Sequence, residues 1–165
     1  MCRVFDNYLS AYVWSDWRNW KCYYPTILFF MIGDAIYNLV SYNHPLWEQT
    51  SPTLGVTFSS LLMCVTVWPS SALLYLTNFP LSGKFNKTLY VLIWVALFTL
   101  IELVCSYFGN LKYSNGWNIW WSILFDTAMF PLLKIHHENP PIAWILSFLL
   151  GTTIIYFFIP LSSIK

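Results

Sequence analysis

Charge is what this sequence has least of. Only 9% of its 165 residues are Asp, Glu, Lys or Arg, where a soluble domain carries about a quarter. So few charges cannot make a water-facing surface, which excludes a single soluble domain and a charged, disordered tail. The formal net charge is +1, so there is no basic field to neutralise phosphates and nucleic acid is excluded as a partner. Six glycines are too few for a collagen-like repeat, and four cysteines are too few for a disulfide scaffold. Those cysteines, Cys2, Cys22, Cys64 and Cys105, are not spaced as a metal or redox motif. Cys64 and Cys105 fall in apolar runs, where a thiol packs as a small hydrophobe. Nucleophile motifs, phosphate loops and zinc-protease patterns are also missing, so neither an enzymatic activity nor a cofactor is expected.

What the sequence has in abundance is apolar and aromatic surface, 58% and 21% of residues. A bilayer core of about 30 Å takes roughly 20 helical residues at a rise of about 1.5 Å each. Five stretches qualify: Tyr24 to Asn43, Thr53 to Phe79, Thr88 to Phe108, Gly116 to His136, and Pro141 to Pro160. Pro25, Pro45, Pro52, Pro80, Pro140, Pro141 and Pro160 lie at or near their limits, where a missing N–H is tolerated. Pro69 and Pro131 fall inside spans and are expected to kink them. The linkers are too short to fold alone, and no internal repeat is visible. The expected fold is therefore all-α, a polytopic membrane bundle of five transmembrane helices forming one domain over residues 23–165.

Residues 1–22 read as a cytoplasmic interfacial segment. Arg3, Asp6, Asp16, Arg18 and Lys21 interrupt every apolar stretch there, so no cleaved signal peptide is expected. Phe5, Tyr8, Leu9, Tyr12 and Val13 recur at spacings of three and four, the pattern of an amphipathic helix lying on the inner membrane surface. Asp16 ends that face. Trp14, Trp17 and Trp20 before the first span, and Trp117, Trp120 and Trp121 at the fourth, mark headgroup levels. Arg3, Arg18, Lys21, Lys84, Lys87 and Lys134 fall on one side of a five-span chain and Lys112 and Lys165 on the other. That imbalance predicts a plasma-membrane protein with a cytoplasmic N-terminus and an outside C-terminus. The glycosylation acceptor pattern Asn86-Lys87-Thr88 then lies on the cytoplasmic side and is discounted.

Three carboxylates sit inside spans without a deep Lys or Arg: Asp34, Glu102 and Asp126. A charge at mid-bilayer costs about 2.5–3.5 kcal/mol even on lenient insertion scales. Each acid belongs to a polar stripe at helical spacing: Asp34, Asn38 and Tyr42; Thr99, Glu102 and Ser106; Asn118, Ser122 and Asp126. The stripes run from mid-membrane outward, while Pro69 and Pro131 lie in the inner half. This points to a polar cluster on the bundle axis, open outward and sealed inward. Asp34, Asn38, Glu102, Asn118, Ser122 and Asp126 are the candidate site for a cation, a proton or an amine-bearing ligand. The competing reading makes them neutral interhelical hydrogen-bonding groups. Ser59, Thr66 and Ser70 share a face of the second span, as in close helix packing. Adjacent His136 and His137 point apart and make a poor metal pair, so with Lys134 they are candidates for headgroup contact.

Several local patterns occur in a telling order. Tyr23-Tyr24-Pro25-Thr26-Ile27-Leu28 precedes Gly33-Asp34-Ala35-Ile36-Tyr37-Asn38 and Tyr42-Asn43-His44-Pro45-Leu46-Trp47. Thr99-Leu100-Ile101-Glu102, Tyr113-Ser114-Asn115-Gly116-Trp117-Asn118 and Met129-Phe130-Pro131-Leu132-Leu133-Lys134-Ile135-His136 follow. Over roughly Tyr23 to Trp144 the chain resembles an uncharacterised family of small polytopic membrane proteins from spore-forming Gram-positive bacteria. The resemblance implies a plasma-membrane helical bundle and no activity, substrate or catalytic residue. At position 126 it implies either Asp or Asn. The sharper functional expectation is a small transporter or ion-coupled carrier, oligomeric because five short spans enclose little volume. The alternative is an envelope or sporulation assembly protein whose polar stripe binds a partner helix. In both, the partners are the lipid bilayer and a second copy or another membrane protein.

Overall fold

The computed structural model describes residues 19–51 and 54–164. Among them are five long helices: α1 (Trp20–Val40), α2 (Val56–Thr77), α3 (Lys84–Tyr107), α4 (Ile119–Glu138) and α5 (Pro140–Phe158). Of these, α2, α3 and α5 are long and apolar enough to cross a membrane. The amphipathic stretch Phe5 to Val13 lies outside the described residues.

The helix limits follow from local chemistry. Helix α1 starts at Trp20, before the expected Tyr24, and takes Pro25 into its interior. Only Asn139 separates α4 from α5, because Pro140 and Pro141 need no N–H in the first turn of α5. In α2, Pro69 cannot donate to the Val65 carbonyl, and its ring would crowd that oxygen. The helix widens just before it into a π-helical turn, Met63–Val67, closed by the Trp68 N–H on the Met63 carbonyl. Helix α4 is continuous through Pro131.

Helix α4 is the hub, packing against α3, α5 and α1, while α1 packs along α2. The outer helices are nearly bare: Val95 is the one buried residue of α3 and Ala143 that of α5. The larger core lies at the end away from the ribbon, and a smaller one of Leu46, Trp117 and Ile159 lies at the ribbon end. Tyr75 and Phe130 are fully buried and meet at 5.1 Å between ring centres. Trp94 and Phe98 of α3 close on Phe130 at 5.6 and 5.0 Å. The Tyr90 hydroxyl donates to the Tyr75 carbonyl at 3.1 Å. Each such ring pair adds roughly 0.5–1.5 kcal/mol beyond the area it buries.

At the other end, two strands too short to read from sequence form an antiparallel ribbon. In β1 (Trp47–Gln49) and β2 (Leu111–Tyr113), Trp47 lies opposite Tyr113 and Glu48 opposite Lys112. Tyr37 of α1 anchors the ribbon: its hydroxyl donates to the Trp47 carbonyl and accepts from the Leu46 and Trp47 N–H groups. Its ring stacks on Trp47 at 3.8 Å. After β2, Asn115 and Gly116 both take positive φ (54° and 83°), the left-handed pair of a tight turn in which glycine bears no Cβ penalty. That turn delivers the chain to α4, whose first N–H groups are capped by Asn118.

Candidate functional site

Each carboxylate of the three expected stripes lies one helical turn from a phenylalanine. The pairs are Phe30 and Asp34 on α1, Phe98 and Glu102 on α3, and Phe130 and Asp126 on α4. Four residues span about 6 Å along a helix and return to the same face. Phe30 and Phe98 flank the Trp68 ring at 5.1 and 6.2 Å, and Phe98 meets Phe130 edge-on. These four rings make a continuous aromatic floor, and the acids stand on the side of it nearer the ribbon.

A cavity of about 760 Å³ lies against this floor and extends past it on the α5 side as far as Leu133 and Trp144; its walls include Asp34, Glu102 and Asp126 together. Ser122, Gln49 and Trp117 also line it, and no Lys, Arg or His does. Among the described residues the sole carboxylate–cation pair is Lys134 with Glu138 at 3.1 Å, at the other end of α4. The acids divide into two groups. Glu102 and Asp126 lie within electrostatic reach of each other, and Ser122 and Tyr113 face the Glu102 carboxyl. Asp34 stands apart from them, faced by the Cys64 thiol, the Trp68 indole and the Asn38 amide.

Hydrogen bonding around the cavity is incomplete. Asp126 is only 7% exposed, and among the described residues it has no hydrogen-bond partner. Glu102 Oε2, Trp68 Nε1, Ser59 Oγ and the Tyr113 hydroxyl are buried without a closed hydrogen bond. The Trp68 indole thus faces Asp34, and the Tyr113 hydroxyl faces Glu102, without either contact taking up hydrogen-bond geometry. Burial, then the charge of Glu102, pushes the Tyr113 hydroxyl up to about 12, so it remains a neutral donor across the ordinary pH range.

The other candidate residues take different places. The Asn38 amide donates to the Asp34 backbone carbonyl at 2.9 Å. Asn118 spends its side-chain oxygen on the Trp120 and Trp121 N–H groups and does not line the cavity. Ser122 accepts from the Trp117 indole at 3.0 Å. Ser59 is buried, whereas Thr66 and Ser70 are exposed and bond back to their own helix. His136 is buried, with Nδ1 at 3.0 Å from the Thr26 hydroxyl and its ring stacked on Phe29 at 4.1 Å. His137 stacks on Tyr23, and Lys134 sits over the Phe79 ring.

Sequence reasoning did not find Trp68, Cys64, Tyr113 or Gln49. A tryptophan next to a mid-span proline was the available signal for Trp68. No family model matches the chain, and no curated protein or solved structure shows a significant match to it.

Proposed function

We propose that this chain is an integral membrane protein whose five helices all cross the bilayer and whose cavity binds a cation, as a small transporter or ion-coupled carrier does. The observation that carries the reading is the meeting of three carboxylates from three helices around one cavity without a basic side chain in its wall. Exposed surface on α3 and α5 is apolar along most of its length, as lipid contact requires. Helix α4, which carries Asp126, is the hub of the bundle, and α1 and α3 bring Asp34 and Glu102 to the same cavity, so the lower apolarity of α1 and α4 is what cavity-lining helices need. With Lys84, Lys87 and Lys134 at the end away from the ribbon, the positive-inside bias puts that end, and the N-terminus, in the cytoplasm. The ribbon and cavity then belong to the outer half.

The test is uptake of a cationic dye or of protons by liposomes holding the full-length protein. Asp34→Asn and Asp126→Asn should each abolish uptake while the protein stays monodisperse. Unchanged uptake, or loss of folding without a separable loss of uptake, would assign the carboxyls to helix–helix hydrogen bonding instead. A stoichiometric membrane partner that leaves with either substitution would favour the assembly role.

A further inference from the structure

The nature of the cation can be read from the shape and chemistry of the walls, and this step rests on the cation-binding reading above. A resident metal ion needs several ligands converging within about 2.0–2.6 Å of one point. Among the described residues no group of three His, Cys, Asp or Glu side chains is placed to hold one. Asp34 lies on the α1 side with Cys64 and Trp68, away from the Glu102–Asp126 pair, so the acids surround a space and do not converge on a point. That space, about 760 Å³, lies within the range of roughly 300–1,000 Å³ that encloses small organic ligands.

The walls are graded. Phe30, Trp68 and Phe98 make the aromatic floor, which the cavity passes on the α5 side as far as Leu133 and Trp144, and Phe125 and Trp117 stand nearer the ribbon. Carboxylates come one helical turn above the floor, and beyond them Gln49 and Asn110 from the ribbon end. Asp126, nine-tenths buried and without a hydrogen-bond partner among the described residues, lines this space. A ring or alkyl body fits the floor, and a positive centre at its edge then reaches the acids. Aromatic faces add to the attraction for such a centre. We infer that the cavity takes an organic amphiphilic cation, an amine or onium group on an apolar or aromatic body, in preference to an inorganic ion.

The test uses the full-length protein in detergent and two aryl-phosphorus probes measured by equilibrium dialysis, tetraphenylphosphonium, which is charged, and triphenylphosphine oxide, which is neutral and one ring smaller. Tetraphenylphosphonium should bind saturably and at least about tenfold more tightly than the neutral probe. A large excess of sodium or magnesium should not displace it beyond general screening. Asp126→Asn should remove most of the preference for the charged probe and leave the neutral probe unchanged. The comparison of probes on the unaltered protein stands even if that variant does not fold. Asp126-dependent binding of sodium or protons, with tetraphenylphosphonium ignored, would overturn the organic ligand class and leave the cation reading in place. Equal affinity for both probes, with no inorganic cation bound, would overturn both.

Discussion

Around Phe130 rings pack on rings, whereas one helical turn away, around Asp126, carboxyls face a cavity; both regions are built on the same helices. In the first region Tyr75 and Phe130 are wholly buried and Trp94, Phe98 and Tyr90 close over them. In the second, Glu102 Oε2, Trp68 Nε1 and Ser59 Oγ are enclosed without closed hydrogen bonds, whereas the first holds one such group among the described residues, the Tyr75 hydroxyl. Unmade hydrogen bonds of this kind cost about 1–3 kcal/mol each, so the cavity region weakens the fold that the aromatic region supports. On the proposed function, stability and binding separate along the bundle axis, and substitutions on one helix should affect one or the other according to their level.

The sharpest contrast is on α4. Phe130→Ala should cost about 3–5 kcal/mol in unfolding from detergent micelles, since a fully buried ring leaves a void. Asp126→Asn should cost far less, and a loss equal to that of Phe130→Ala would break the division. Next is the ribbon, which Tyr37 ties to α1. Tyr37→Phe strands the Leu46 and Trp47 N–H groups and should cost about 1–3 kcal/mol. Hydrogen exchange should show the change at residues 46–49 and not around Tyr75; an even change across the bundle would contradict it. Asn118→Ala removes a helix cap, with an expected cost of about 1 kcal/mol and no effect on cation binding. A binding defect there would return Asn118 to the site.

The smallest effect is spectroscopic. Tyr113, raised to about 12 chiefly by burial and then by Glu102, keeps its full contribution to stability below pH about 10 and loses it as pH climbs towards the folded value. Tyrosinate absorbance, taken as the difference from Tyr113→Phe, should therefore appear late, and earlier in Glu102→Gln. Ionisation at the ordinary tyrosine value would show that Tyr113 does not face the acids.

Much of this was legible because long apolar helices carry strong signals. All five helices overlap their expected stretches, with limits moved by a few residues. Four-residue spacing placed Ser122 and Asp126 on one face, and both line the cavity. Asn118 obeys the same spacing, but it stands at the helix start, where unpaired N–H groups claim its oxygen first. Asn38 likewise turns to its own backbone. His136, next to two prolines, read as an interfacial residue, yet the close approach of α1 encloses it against Thr26 and Phe29. The ribbon escaped notice because three-residue strands leave no period to detect, and its pairing joins residues far apart in the chain. Trp68 was hidden for a different reason: the π-helical turn ahead of Pro69 shifts the register that face arithmetic assumes.

That Asp34, Glu102 and Asp126 share the walls of one cavity is what the rest depends on. Dicyclohexylcarbodiimide, an apolar reagent for buried carboxyls, tests it on the unaltered protein with adducts counted per molecule by intact mass and located by fragmentation. A shared cavity predicts that a first bulky adduct on any of the three slows the other two, so singly modified protein accumulates. Independent modification of all three, in the proportions expected by chance, would contradict it.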